Sequence, residues 1–313
     1  MKPQLAEDCV LTLVQYPCLS QTKIDGVRAL NLNGTLTGRS LDPFKGFGIT
    51  EYFSKFEFLG LDGEMILGSV PNSPDRLCSL TTGAMSKFKG VTEMPDVTWH
   101  VFDLVTEDTI NLSYIDRHWL LSLKVIELAH PRIKLVPFKV CDNLEMLQAE
   151  INEHASLGYE GSIVRSPGAK YKEGRSTKKN LELTRVKPWS DAEILVTGIT
   201  EGEENQNEAK TNTLGRTERS SAQDGMVPNG RVGSIQGKML ADFFDSNGKL
   251  LFAKGLAITV SKGEMSHTES SDYFNNPDTI VGHIIKFKHL PFGTLTKPRF
   301  PTYISHRAKE DME

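Results

Sequence analysis

The sequence predicts an α+β chain in two parts: a mixed strand-and-helix domain, residues 1–188, and an all-β domain, residues 189–313. Three observations predict it. Strand-like runs and helical stretches alternate as far as Pro188. Beyond Trp189, helical periodicity nearly vanishes and strand-like runs alternate with polar turns. A length of 313 residues suits about two domains.

The elements follow in order. Val27–Leu32 and 34–38 read as two short strands around an Asn33-Gly34 turn, a hairpin pattern. Leu59–Leu67 and Trp99–Val105 are further strands. Ser113–Leu128 is an amphipathic helix, with Ser113 as N-cap and Ile115, Trp119, Leu123 and Ile126 at helical spacing. Asp142 caps a second helix carrying Leu144, Leu147, Ile151 and Ala155, which ends at Gly158. The strand Gly161–Arg165 follows. In the second domain Glu193–Gly198, Arg231–Gln236 and Leu250–Val260 are strand-like. Residues 201–230 are rich in Glu, Asn, Ser, Thr and Gly. They are too polar to bury a core and read as a mobile loop. Lys210, Arg216 and Arg219 could let that loop track a phosphate backbone, and a plain solvated insertion fits as well.

Composition bounds the class. With 38% apolar and 24% charged residues the chain suits a soluble globular protein. The net charge of −4 does not mark a nucleic-acid binder, but a local basic face decides that question. Residues 168–188 supply one, with seven Lys or Arg against two Glu. None of the four cysteines forms a Cys-x-x-Cys pair, which speaks against a structural zinc site, and disulfides are not implied. The chain reads as intracellular. The first apolar run, Cys9–Val14, is too short for a signal peptide or a membrane span.

Several short elements carry chemistry. Lys23-Ile24-Asp25-Gly26-Val27-Arg28 places a lysine in a tight turn between strands. A lysine becomes nucleophilic when neighbouring cations or desolvation lower its pKa. Gly26 would let the backbone bend by tolerating positive φ, and the Arg28 fork could bind ribose or phosphate oxygens. A solvated surface hairpin is the bland alternative. Arg39, at the end of the next strand, could reach a nucleotide or stand in water. Asp62-Gly63-Glu64 lies inside an aliphatic run, so its acids either point into a cleft or sit on an edge strand. Glu64 could take a ribose hydroxyl or Mg2+. Phe102 could stack on a base or fill a core. Glu160 opens a strand, as a metal ligand or a turn residue. Arg185 and Lys187, two apart, share a strand face and could neutralise a triphosphate or line a basic edge. Arg299-Phe300-Pro301 and Arg307 lie almost at the C-terminus and could swing over a pyrophosphate or fray.

In this order, Lys-x-Asp-Gly-x-Arg, Asp-Gly-Glu, Phe, Glu-Gly, Lys-Pro and Arg-x-Pro resemble the covalent nucleotidyltransferase superfamily. Within it the chain looks like an ATP-dependent DNA ligase of the minimal bacteriophage type, over nearly its whole length. The resemblance implies an adenylation domain of antiparallel sheets and helices, then an OB-fold barrel. It implies that Lys23 attacks the α-phosphate of ATP and becomes a lysyl-AMP. Gln21, Thr22 and Ile24 would line the nucleotide pocket. Arg28, Arg39 and Glu64 would hold the ribose side, with Phe102 on the adenine. Glu160, with Glu64, would bind Mg2+. Arg185 and Lys187 would touch the α-phosphate, and Arg299 and Arg307 would assist pyrophosphate departure. AMP would pass to the 5′-phosphate of a nick, and the 3′-hydroxyl would displace it. Three positions depart from the common pattern: Gln21 where many relatives carry Glu, Arg185 in place of Lys, and Ser305-His306 ahead of Arg307.

The resemblance leaves alternatives of other kinds: an RNA ligase, an mRNA-capping guanylyltransferase, or a non-catalytic nick-binding protein on the same fold. RNA ligases generally lack the Arg-x-Pro element, and a full set of acids and bases speaks against decay. The absence of a domain ahead of Lys23 and of Cys-x-x-Cys pairs speaks against large cellular and zinc-bearing NAD-dependent ligases. The expected partner is nicked double-stranded DNA, bound by a cytoplasmic monomer without a membrane. Binding should rest on phosphate contacts from residues 168–188 and the barrel. Nick affinity is therefore expected to fall steeply between about 50 and 200 mM salt, with little sequence preference. A salt-insensitive affinity would refute this.

Overall fold

The computed structural model describes residues 1–71, 76–90, 93–244, 248–290 and 296–307. The chain divides into two compact units, Met1–Pro188 and Trp189–Glu313.

The first unit is built on two sheets. Strand β1 (Cys18–Lys23) turns at Gly26 into β2 (Val27–Leu30). Helix α1 (Phe47–Phe53), strand β3 (Leu61–Leu67), helix α2 (Leu77–Lys87) and strand β4 (Val97–Leu104) follow. After helix α3 (Tyr114–Leu128) come β5 (Ile133–Leu135), β6 (Lys139–Cys141), α4 (Leu144–Ser156), β7 (Gly161–Arg165) and β8 (Thr184–Val186). One sheet has the order β2-β3-β4-β5. The other begins with the two-residue strand Glu7–Asp8 and continues β8-β7-β1-β6. Within these two sheets pairing is antiparallel except for β4 with β5 and β8 with Glu7–Asp8, and a separate two-residue pair, Gln4–Leu5 with Gly174–Arg175, is parallel.

Strand alternation sorts the side chains. Met65, Trp99 and Val101 pack with Phe53, Phe58 and Leu121 into the main core of this unit. The opposite faces of β2, β3 and β4 carry Arg28, Glu64 and Phe102. In the other sheet Cys18, Val164 and Val186 pack with Leu147 and Ile151 of α4. That leaves Gln21 and Lys23 on the reverse face.

Several expectations need correction. The 34–38 strand shrinks to a single bridge between Leu30 and Thr37, with the turn at Gly34 (φ +79°) kept. Asn31 exchanges backbone hydrogen bonds with Gly60 and Leu61 instead, and its side-chain amide donates to Phe53 O at 2.9 Å. The cap of α4 is Asn143, whose side chain accepts from Met146 N at 2.9 Å, rather than Asp142. Ser113 does cap α3. The apolar stripe of that helix faces out, however: Ile115, Trp119, Leu123 and Ile126 are 41, 61, 46 and 74% exposed. Tyr114, Arg117, His118 and Leu121 are buried in their place.

The second unit is a closed five-stranded barrel. Its strands β9 (Ser190–Asn205), β10 (Met226–Met239), β11 (Ala257–Ser261), β12 (Ile284–Leu290) and β13 (Arg299–His306) run in the order β9-β10-β11-β13-β12. Ile194, Val232, Ile235, Val260, Ile285 and Phe287 fill it. Helix α5 (His267–Asn275) is tied to β10 by Ser270 Oγ, which donates to Val232 O at 3.1 Å. This is the OB-fold plan of a small closed β-barrel. Residues 201–230 are not a structureless loop. The far ends of β9 and β10 stay paired as far as Asn205 and Met226, and a small hairpin pairs Ala209–Thr211 with Thr217–Arg219. A ribbon satisfies its backbone without a core, so exposed polar side chains do not forbid it.

The two sheets of the first unit are joined by a buried charge cluster. Asp103 on β4 accepts from Arg117 of α3 (Nε to Oδ1, 2.8 Å; Nη2 to Oδ2, 3.1 Å) and from Arg165 Nη1 of β7 (3.1 Å). All three side chains are at most 2% exposed. Burial alone would raise the Asp103 carboxyl, and the two guanidiniums hold it below the usual carboxylate range instead. Asp103→Ala would leave two buried cations uncompensated. It is expected to cost about 3–5 kcal/mol in urea unfolding of the first unit, and an unchanged midpoint would show that the cluster is dispensable.

Candidate active site

Lys23 ends β1, and its Nζ is ion-paired with Glu160 Oε2. Lys187 Nζ holds the other carboxylate oxygen at 2.8 Å. One carboxylate thus bridges two ammonium groups, all three being at most 20% exposed. Burial would raise the Glu160 carboxyl, but Lys23 and Lys187 hold it below the ordinary range. The backbone supports this bridge, because Glu160 N donates to Lys23 O at 3.1 Å and Lys23 pairs with Gly161 in the ladder. Gly161 is needed for close approach: a Cβ there would lie 2.1 Å from Val186 O. Gly26 is needed for the same reason rather than for positive φ, since its Cβ would meet Met65 O at 2.3 Å and Glu64 Cγ at 2.8 Å.

Glu64 lies across from this pair. Burial pushes its carboxyl up to about 7, against the pull of Arg28 and Lys23 and with help from Glu160 and Asp62. Arg28 clasps Asp62 in two parallel bonds, Nε to Oδ1 at 2.6 Å and Nη2 to Oδ2 at 2.7 Å. Its guanidinium carbon stands 4.7 Å from the centre of the Phe102 ring. Burial opposes the charge on Arg28, and Asp62 outweighs it and keeps the guanidinium protonated. Phe102 also packs with Ile24, Ile66, Leu77, Val136 and Tyr159, so Ile24 contributes an apolar wall.

Gln21 is buried beside these groups. Its Nε2 donates to Val136 O at 3.2 Å, and its Oε1 accepts from the Tyr114 hydroxyl at 2.7 Å. His118 Nε2 lies 2.9 Å from the same Val136 carbonyl. The pleat turns Thr22 to the α4 side with Ser162, its ladder partner, so Thr22 offers this face only its backbone.

Other expected residues stand elsewhere. Arg39 is exposed on a turn closed by Leu41 N to Gly38 O. Arg185 shares the Lys23 face, and its Nε is paired with Asp8 at 2.7 Å. Arg299 and Arg307 belong to the second unit. There the Arg299 guanidinium stands 4.9 Å over the Phe300 ring, and Arg307 Nε binds Glu193 at 2.6 Å.

Sequence reasoning missed Tyr114, Asp103, Arg117, His118 and Arg165. Arg165 stacks 4.1 Å over the Tyr114 ring and fixes the floor under Gln21. A trace was visible, since Asp103 and Arg165 are lone charges in aliphatic runs and Tyr114, Arg117 and His118 recur at helical spacing.

Lys23, Gln21, Glu64, Phe102 and Glu160 therefore lie on the facing sides of the two sheets, apolar side chains around Phe102 at one end and charged groups at the other. Among the described residues no cluster of three or more metal-binding side chains occurs. Mg2+ needs only one or two carboxylates beside phosphate oxygens, and Glu64 and Glu160, close enough to raise the Glu64 carboxyl, fit that requirement.

The family model described as ATP dependent DNA ligase domain matches residues 3–187. A Chlorella virus DNA ligase-adenylate structure is 24% identical, with a TM-score of 0.52 and 99% of each chain covered. A structure of a Lig E DNA ligase is 19% identical, with a TM-score of 0.68 over 98% of this chain and 99% of that one. These likenesses speak for the fold. No curated protein sequence gives a significant match.

A carboxyl raised on folding binds a proton more tightly when folded. It therefore costs stability once pH passes the unfolded value of 4.5, and the cost levels off above about 7. Glu64→Gln is expected to stabilise the first unit at pH 8 by about 1–3 kcal/mol and to leave it nearly unchanged at pH 4.5. Urea unfolding at both values checks this; equal shifts at the two would exclude a buried-charge origin.

Proposed function

The chain belongs to the ATP-dependent DNA ligase family, and from that membership we propose which of its residues carry each step. The enzyme uses ATP and Mg2+ to seal nicks in duplex DNA through a covalent adenylate.

In our reading Lys23 Nζ first gives up a proton to solvent, and the neutral amine then forms a bond to the α-phosphorus of ATP as the bond to the pyrophosphate oxygen breaks. The observation that carries this is the single buried carboxylate of Glu160 held between Lys23 and Lys187. Glu160 aims the nucleophile, and Lys187 brings a second cation to the same point, where phosphate charge develops. Adenine packs beside Phe102 and Ile24, over Gln21 and the backbone of Thr22. Arg28 and Arg39 serve the ribose side. Mg2+, held by Glu64 and Glu160, would supply positive charge to the triphosphate oxygens. Arg185 supports the α-phosphate. Arg299 and Arg307 of the barrel domain assist departure of pyrophosphate. The 5′-phosphate of the nick then takes AMP from Lys23, and the 3′-hydroxyl displaces it.

The division of labour is an adenylation domain at 1–188 and an OB-fold domain at 189–313. Residues 168–188 and the 201–230 ribbon, with Lys210, Arg216 and Arg219, face DNA phosphates. The enzyme acts as a monomer in the cytoplasm of its cell or host. No helix among the described residues is long and apolar enough to cross a membrane.

The test is to incubate the protein with Mg2+ and α-labelled ATP or GTP beside Lys23→Ala. Label from ATP on denatured protein, absent from the variant, is the expected result. Label from GTP would favour a capping enzyme. No label, on a protein whose intact mass shows no bound AMP, would remove Lys23 from the reaction.

A further inference from the structure

Helix α3 carries an apolar stripe that the reaction does not use. Ile115, Trp119, Leu123 and Ile126 are spaced 4, 4 and 3 residues apart, so they lie in one narrow band three turns long. All four are more than two-fifths exposed. The helix cannot roll to hide them. Its other side is fixed by Arg117 on Asp103, by His118 on the Val136 carbonyl and by Tyr114 on Gln21.

The stripe has a charged flank. Asp116 and Glu127 follow it on one side and are exposed; each lies about 100° around the helix from the stripe residue just before it. Two features decide what fits there. An antiparallel twofold pairing of α3 with its copy would set Asp116 of one chain near Glu127 of the other, acid against acid. The four side chains also expose roughly a few hundred Å2, short of the ~800 Å2 per partner that a stable dimer buries. A second copy is therefore disfavoured, and a short helix with a basic flank is favoured.

We propose that the outer face of α3 is a docking site for an amphipathic helical segment of another protein, with apolar anchors at i, i+4 and i+7 and Lys or Arg along one flank. Trp119, the largest exposed side chain of the stripe, is the central anchor.

The probes are two dye-labelled synthetic helices of about five turns. They carry the same leucine stripe, with lysines on the flank of one and glutamates on the flank of the other. Fluorescence anisotropy with the full chain is expected to show the lysine peptide binding about tenfold more tightly. Trp119→Asp should abolish binding while nick sealing stays at the wild-type rate. Asp116→Asn with Glu127→Lys should reverse the preference. Binding of neither peptide, equal binding of both, or a preference unmoved by the flank variant would overturn the proposal. So would a dimer in sedimentation that Trp119→Asp dissociates, which would assign the stripe to a second copy. Nick sealing by the unmodified chain is read in the same preparation, so loss of the ligase reading would be seen separately.

Discussion

The Asp103 carboxylate is the constraint on which the first unit is organised. It is buried and accepts from two guanidiniums, one on a helix and one on the opposite sheet. A buried carboxylate is tolerable only with such partners, and buried guanidiniums are equally dependent on it. The three groups therefore specify one another's positions. Because β4 and β7 belong to different sheets, this contact fixes how the sheets face each other. Arg117 also donates to Leu112 O and Ala169 O, which pins the start of α3 and the chain after β7.

The candidate site rests on that rigid frame. Gln21, Glu64 and Phe102 come from three strands, Glu160 directly precedes β7, and Lys23 arrives at the end of the same strand as Gln21. Each would be unremarkable alone. Brought together, they set an apolar cluster beside a carboxylate held between two lysines. The glycines beside Lys23 and Glu160 let strands approach to distances that any side chain would prevent. The site thus depends as much on absent side chains as on present ones.

The same charge cluster explains the orientation of α3. A helix normally turns its apolar stripe inward. Here Tyr114, Arg117 and His118 have specific buried partners, and losing them would cost more than hiding four hydrophobic side chains would return. Specific polar contacts thus override amphipathic burial, and an apolar surface is left outside.

From sequence alone the ordered motifs of the candidate site could be read, along with two of the five described α-helices and part of the strands. Glu64 and Glu160 were legible because each sits beside a glycine, and Lys23 because it opens a short motif with a glycine three residues on. Ser113 was legible because an N-cap is a local hydrogen bond. Tertiary structure alone decided which face of α3 is buried, that Asn31 leaves its hairpin for Gly60 and Leu61, and that polar residues 201–230 form a paired ribbon. It also decided that Arg28 binds Asp62 and that Asp103, Arg117 and Arg165 belong together. The reason is physical. Periodicity and capping act over a few residues along the chain, whereas buried ion pairs join residues distant in sequence, and their desolvation can outweigh any local preference.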